Sequence, residues 1–457
     1  MGDVRSLLSG AVGAEHVLAA TEAPADYGHD EALGVTPGEP AFVVRPGGTA
    51  EVAAVLRIAG DHRLAVTARG SGTGLAGAAR PSRGGLVISF ERMNQIIEID
   101  TANHVAVVQP GVTLAALDDA AAAHHLVYPV FPGEMSASLG GTIATNAGGM
   151  RAVKYGVTRR HVLGLEAVLA SGEVIRTGGK YVKVSSGYDL TQLIIGSEGT
   201  LALVTEATLR LYPRLPGQET LLAPFGSLAE VTAAVPQIVA SGVEPLILEY
   251  VDMLTMAAIT QSEDIDLGIP AAVRETAQAY LLVVQEGRDP GRLDADVAEL
   301  ATLLSEAGAV DVYVLPGTAA HRLIQARERA FWTAKQAGAD DIVDAVVPRA
   351  AMAAFLGEVA RIATRRSQLV LGTGHAGDGN VHLALFEPDA AARGQLMREI
   401  LAAARASGGA VSGEHGIGTA KVGYFLDLAD PVAVSLMRRV KNAFDPEGLL
   451  NPGVILG

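Results

Sequence analysis

The sequence contains no cysteine and a single tryptophan, Trp332. Without thiols the chain can form no disulfide, no thiolate metal site and no iron–sulfur ligation of its own. Basic residues are also short: 35 Lys and Arg stand against 50 Asp and Glu, a net charge of −15. That balance argues against nucleic acid, whose phosphates select basic surfaces. No charge-free apolar run reaches about 18 residues, so an integral membrane segment is not expected. The first residues, Met1-Gly-Asp-Val-Arg-Ser6, lack the basic-then-apolar layout of a signal peptide. These absences point to a cytoplasmic protein, with at most peripheral contact at the inner face of a membrane.

What the chain has in quantity is glycine, 53 residues of 457, and apolar residues, 49% of the total. A chain of this length is too long for one core, so two or three domains are expected. The alanine richness is compatible with a homodimer. The glycines are not spread evenly. Arg69-Gly-Ser-Gly-Thr-Gly-Leu-Ala-Gly77 follows a short apolar run, Leu64 to Val66. Glycine lets the backbone take positive φ and approach a ligand closely. Successive amides in such a loop form a concavity that suits a phosphate. The loop is neither a Rossmann fingerprint nor a P-loop, because no Gly-Lys-[Ser/Thr] follows. Taken alone, a glycine-rich surface turn is an equal reading. Two further glycine-dense stretches, Pro132 to Gly149 and Gly196 to Thr200, favour the ligand cradle.

Residues 1–40 read as an N-terminal arm. Ala41 to Arg45 is a strand, Thr49 begins a helix to about Asp61 in an N-cap-like way, and Leu64 to Val66 completes a β-α-β unit. Strands are expected at Leu86–Ser89, Ile96–Ile99 and Val105–Gln109, with Thr113 capping a helix to about His125. Leu163–Leu169 and Glu173–Thr177 form a hairpin around Ser171-Gly172. Asp189 caps a short helix, and Leu201–Leu211 alternates as a half-buried strand. Tyr212-Pro-Arg-Leu-Pro216 breaks the pattern and marks a boundary. Beyond it strands near 221–223, 246–249, 280–284 and 312–315 alternate with helices near 228–240, 291–307, 318–337 and 350–366. This layout predicts an α+β domain whose sheet is covered on one face. The tail from Phe444 is too rich in Gly and Pro for a helix.

The chemistry-bearing residues cluster late. Gly372-Thr-Gly-His-Ala-Gly-Asp-Gly-Asn-Val-His382 sets two imidazoles seven apart across a glycine-rich bend, and Gly413-Glu-His-Gly-Ile-Gly418 adds a Glu-His pair. Two histidines and a carboxylate make the ligand set of a catalytic divalent-metal site with open positions. Each histidine alone is more often a hydrogen-bonded structural residue; the combination favours a site. Glu414 and His415, as neighbours in an extended segment, should point apart, one to metal and the other to substrate. Histidine titrates near neutrality and can take a proton there. Arg327, Arg329 and Arg349 are candidates for a bidentate carboxylate clamp, with Arg329 read more simply as a solvated helix charge. Trp332 reads as a packing residue.

Together these stretches resemble the flavoproteins of the vanillyl-alcohol oxidase/p-cresol methylhydroxylase superfamily. The motifs are Arg69 to Gly77, Pro132-Gly133, Gly140-Gly-Thr-Ile-Ala-Thr-Asn-Ala-Gly-Gly149 and Gly196-Ser-Glu-Gly-Thr-Leu201. The two histidine motifs narrow the likeness to the branch holding the glycolate oxidase D subunit, D-lactate dehydrogenase and D-2-hydroxyglutarate dehydrogenase. The resemblance runs from about residue 40 to Asn451-Pro-Gly453. It implies a two-lobed FAD domain over 41–215, an α+β cap over 216–425 carrying a metal site, and a segment 426–457 packing back on the FAD domain.

It further implies non-covalent FAD held by Arg69, Gly70, Ser71, Gly72, Thr73, Gly74, Pro132, Gly133, Gly141, Thr142, Asn146, Gly148, Gly149, Glu198, Gly199, Val204 and Asn451. Thr73 stands about where some relatives carry a flavin-linking histidine, hence the non-covalent expectation. His375, His382 and Glu414 would hold a divalent metal, Zn²⁺ before Mn²⁺ or Fe²⁺. His415 would be the base, and Arg327 would hold the substrate carboxylate. The implied reaction is oxidation of a small D-2-hydroxy acid, with electrons passed to a quinone, an electron-transfer flavoprotein or a cytochrome. Ala384, Phe331 and Ile342 stand about where the hydroxyglutarate branch carries polar groups for a second carboxylate. D-lactate or glycolate is therefore favoured over D-2-hydroxyglutarate. The superfamily also includes an ether-lipid synthase using FAD without net redox, which would not need a His–His–Glu set. The same intact residues speak against a non-catalytic flavin subunit. A metallohydrolase with a glycine-rich nucleotide loop is the remaining rival.

Overall fold

The structure, a computed structural model, describes residues 2–457. Two sheets dominate the chain up to residue 210, beside a two-stranded pair of Leu126–Val127 with Tyr212–Pro213. The first has four strands in the order Val17–Ala19, Phe42–Val44, Leu86–Ser89, Val66–Arg69. Its last three strands run parallel, and the helix Thr49–Asp61 makes the crossover between Phe42–Val44 and Val66–Arg69. That crossover delivers the glycine loop to the end of Val66–Arg69. The N-cap of the helix is Gly48, not Thr49; the Thr49 hydroxyl is drawn instead to the buried Glu166 carboxylate.

The second sheet is antiparallel, in the order Ile96–Asp100, Val105–Val108, Leu203–Arg210, Val162–Val168, Val174–Gly178. Leu203–Arg210 alternates buried and half-buried residues along its whole length, as its period-two pattern requires. Thr113 accepts from the Ala116 amide and Asp189 from the Gln192 amide, so both caps form.

A third sheet begins at Gly217 and has seven antiparallel strands: Tyr313–Val314, Gly217–Phe225, Ala279–Gly287, Ile247–Asp252, Leu369–His375, Asn380–Phe386, Asp341–Val346. Both of its faces are covered, not one. Leu221, Ala223, Leu281 and Val283 pack in one core with Val235, Leu304 and Phe355, while Leu222, Tyr280 and Leu282 pack in another with Met256, Ile259 and Leu323. A strand buried on both sides reads as a continuous apolar run, which Tyr280-Leu-Leu-Val-Val284 is.

Three helices depart from the sequence reading. Leu139–Thr145 lies inside the second glycine-rich stretch, where Gly140 sits so close to Pro110 that a Cβ would be 2.6 Å from its ring. The helix expected over 318–337 breaks at Arg329 into Gly317–Glu328 and Ala330–Gln336. Pro431–Phe444 is a full helix, capped by Asp430 with proline in its first turn. After it the chain is irregular and returns to the first sheet, where Leu450 bridges Val66. No helix among the described residues is long and apolar enough to cross a membrane.

Candidate active site

Two contiguous hollows lie between the first lobe and the seven-stranded sheet. One is a cleft walled by Gly70 to Gly74, Pro132, Gly133, Gly141, Thr142, Glu198 and Gly199. The amides of Gly72, Thr73, Gly74 and Gly141 find no acceptor in the protein, and Gly72 takes φ +78°. Amides left free along a concave loop suit the oxygens of a pyrophosphate. The other hollow lies in the cap and contains Arg327, His375, His382, Glu414 and His415. Glu414 and His415 border both.

The remaining residues expected at the cofactor are placed differently. Val204 lines a recess joined to the cleft through Gly70, Gly141 and Gly199. The Arg69 guanidinium folds back over the Tyr27 ring and donates to the Asp26 carbonyl, bracing the loop from behind. Asn146 closes the Leu139–Thr145 helix in a left-handed conformation and accepts from the Arg159 amide, outside the cleft. Asn451 spends its side-chain amide on the Ala78 and Glu198 carbonyls, at 2.9 and 2.8 Å. Gly148 passes behind the cap site, where a Cβ would lie 2.7 Å from Glu414 Oε2. Gly149 takes φ +116° against the Phe131 carbonyl, a place no side chain could occupy. Trp332, expected to pack, instead walls the cleft with its indole N–H 3.3 Å from Glu134.

Glu198 is drawn away from the cleft by its carboxylate, which accepts from the Ile417 and Gly418 amides, both at 2.8 Å. Burial pushes its pKa from 4.5 up to about 7, against the pull of those amides and Lys421. A carboxyl raised in this way binds its proton more tightly folded than unfolded. Its contribution to stability is therefore present below pH 4.5 and lost as pH rises to about 7. Glu328 and Asp378, also raised by burial, act in the same direction. Glu198→Gln is expected to flatten, by its share, the fall in thermal midpoint over that window, as scanning calorimetry would register. An unchanged slope would mean that Glu198 is ionised throughout.

The cap site is set out by strand register. Glu249 pairs with His375, and His382 lies between Thr373 and Asp344 on neighbouring strands. His375 Nδ1 is 2.6 Å from Glu249 Oε1, and His375 Nε2 is 2.9 Å from Glu414 Oε1. His382 Nε2 lies 3.1 Å from the same Glu414 oxygen. Three ligand atoms of His375, His382 and Glu414 fall within 4.8 Å of one another, a group that could hold a metal ion; Asp344, His382 and His415 form a second such group. Burial opposes charge here, but Glu249 and Glu414 outweigh it and hold the His375 pKa up to about 10. A metal ion would replace that proton, with Glu249 fixing the ring from its far side. The chemistry of the N/N/O donor set fits a divalent ion.

Glu414 and His415 both reach the site, because residues 412–418 form a tight bend and not the extended segment expected. Asp344 makes the bend: its Oδ2 accepts from the Ser412 hydroxyl and from the amides of Gly413, Glu414 and His415, at 2.7–3.0 Å. Burial alone would raise this carboxyl; His415, Lys421 and His382 hold it well below the usual range. The His415 ring stacks on His382 at 4.9 Å and 11°. Burial lowers the His415 pKa to about 4, so the ring is neutral at neutral pH. Arg327 is buried, with its guanidinium 2.5 Å from Glu249 Oε2 and its Nε–H without an acceptor in the protein. Arg329 is exposed beside Glu263, and Arg349 is tied to the Gly377 carbonyl.

Glu249 and Asp344 were not singled out from the sequence. A signal existed: each is a carboxylate set inside an apolar run, Leu246-Ile-Leu-Glu-Tyr-Val251 and Ile342-Val-Asp-Ala-Val346. A buried carboxylate requires partners.

The architecture, a two-part chain with a cofactor cleft opening on a capped pocket, is that of p-cresol methylhydroxylase-type flavoproteins. A structure of p-cresol methylhydroxylase with substrate bound matches at TM-score 0.80 and 18% identity, covering 100% of this chain and 96% of the other. Residues 40–178 match the FAD binding domain family, and residues 216–455 match "FAD linked oxidases, C-terminal domain". The chain belongs to the FAD-linked oxidase family and is an FAD-dependent oxidoreductase. It is 55% identical over 457 residues, all of both chains, to an uncharacterized FAD-linked oxidoreductase of Mycobacterium tuberculosis. It is 39% identical to a D-lactate dehydrogenase of Archaeoglobus fulgidus, over 91% of each chain.

Proposed function

We propose that this enzyme oxidises a small D-2-hydroxy acid to the 2-oxo acid, D-lactate or glycolate being the simplest candidates, and passes the electrons to a separate acceptor. The observation that carries the reading is the convergence of His375 Nε2, His382 Nε2 and Glu414 Oε1 beside a neutral His415, where the cap pocket meets the cofactor cleft. The 39% identical D-lactate dehydrogenase supports the substrate class.

Bound FAD supplies a two-electron acceptor for the hydride that leaves the substrate carbon. A divalent ion, Zn²⁺ before Mn²⁺ or Fe²⁺, would supply Lewis-acid chemistry there. His375, His382 and Glu414 would hold that ion, and Glu249 keeps the Nδ1 side of His375 occupied so that Nε2 faces inward. His415 takes the hydroxyl proton, and with the hydride gone the carbon–oxygen single bond becomes the carbonyl. Arg327 offers its free N–H to the substrate carboxylate while Glu249 fixes its position.

The test is the visible spectrum of the FAD-loaded protein without oxygen. D-lactate or glycolate is expected to bleach the flavin and L-lactate is not. A flavin left unreduced by every D-2-hydroxy acid offered, glycolate included, would remove the reading.

A further inference from the structure

The cap pocket changes character along its length, and the reaction proposed above uses only one end of it. Alternate residues of a strand share a face, so paired strands carry their side chains in rows. One row holds Glu249 and His375; the next on the same face holds Asp344, His382 and Thr373. The row after that is Ile342, Ala384 and Leu371, and Phe386 lies one row further. Successive same-face rows are two residues apart, about 6.4–6.8 Å. The polar rows hold the candidate metal group. The rows beyond them carry no polar side chain at all.

Ile342, Leu371, Ala384 and Phe386 line the cap pocket and not the cofactor cleft, as do Ala258 and Ala334 from the facing helices. Every charged residue lining the pocket belongs either to the candidate metal group and its neighbours, Arg327 and His415, or to Glu328 at the junction with the cleft. The hollow continues past the polar rows over a further row of apolar side chains, Ile342, Ala384 and Leu371, to Phe386. A buried apolar wall gains most when apolar surface covers it.

We infer that the preferred substrate is a 2-hydroxy acid with an unbranched or branched apolar side chain of about three to five carbons, long enough to span one row spacing. The inference rests on the 2-hydroxy-acid reading of the site. The carboxylate and hydroxyl occupy the polar rows, and the side chain lies along Ile342, Ala384 and Leu371. A second carboxylate at that end would meet no cation and, beyond the apolar rows, only the hydroxyls of Thr255 and Thr333 on the facing helices, which disfavours D-2-hydroxyglutarate.

The experiment is anaerobic flavin reduction of the FAD-loaded enzyme by D-lactate, D-2-hydroxybutyrate, D-2-hydroxyvalerate, D-2-hydroxyhexanoate and D-2-hydroxyglutarate. The apparent second-order rate constant is expected to rise about fourfold per methylene, about 60-fold from lactate to hydroxyhexanoate. Calorimetric affinity for the matching 2-oxo acids should rise in parallel, independently of turnover. Ala384→Phe, which fills the apolar row, should collapse the ratio of hydroxyhexanoate to lactate towards one. A flat or falling series with lactate still reducing the flavin overturns this inference alone. So does a faster reaction with D-2-hydroxyglutarate than with hydroxyhexanoate. Reduction by none of the acids removes the underlying reading as well.

Discussion

His415→Asn lowers the rate of flavin reduction by D-lactate about 10²- to 10⁴-fold, the range a positioned general base contributes. The residue borders both hollows, is neutral at neutral pH because burial lowers its pKa to about 4, and has an Nδ1 without a partner in the protein. Asparagine keeps the backbone amide that donates to Asp344 and removes the basic nitrogen together with the ring that stacks on His382. FAD content and metal content should therefore match the wild type, while stopped-flow reduction slows. In the wild type, the acid limb of the reduction rate should fall nearer pH 4 than 6.5, because only the neutral ring accepts a proton. Full-speed reduction by the asparagine variant would assign the proton to another group.

Asp344→Ala is the substitution with the largest expected cost to stability. It leaves the Ser412 hydroxyl and three consecutive part-buried amides without their acceptor, and one of the two bonds of the buried Asn380 side-chain amide is lost with them. Each orphaned buried donor costs roughly 1–3 kcal/mol. Relaxation and water entry share that load, so the net loss is about 3–5 kcal/mol, the scale of breaking a buried charge network. The bend carrying Glu414 and His415 loses its anchor with it. Denaturant unfolding should show the destabilisation, and elemental analysis of whatever folds should show metal loss with FAD retained. Asp344→Asn, which keeps one accepting oxygen, should fall between. Wild-type stability in Asp344→Ala would show that the bend is held by other means.

The cap site divides into what local sequence carries and what only pairing creates. His375, His382, Glu414 and His415 stand in glycine-rich bends, where an imidazole or carboxylate is conspicuous and backbone freedom marks a ligand's approach. Glu249 is different. It comes into contact with His375 through a pairing of strands 126 residues apart, and nothing local announces that register. Asp344 likewise acquires its meaning from a bend some 70 residues later. The period-two pattern of Leu203–Arg210 and the caps at Thr113 and Asp189 are local facts and could be read directly. The helix Leu139–Thr145 could not, since Gly140 and Gly141 lower helix propensity and close packing against Pro110 overrides it. The Asp430-Pro431 start of the last helix was legible by the same rules as the other caps.

Residue 451 has a consequence for the order in which the protein can be made. Its amide donates to the Val66 carbonyl at 2.7 Å, and its side chain joins Ala78 to Glu198. Lys441 adds bonds to the Thr200 and Leu450 carbonyls. Both walls of the cofactor cleft are thus tied together by residues that leave the ribosome long after the walls themselves. Contacts of such long sequence separation form late and slowly. The glycine loop must wait, open and unclamped, while the entire seven-stranded sheet is synthesised. Closure of the cleft from this side therefore depends on residues made after the whole seven-stranded sheet.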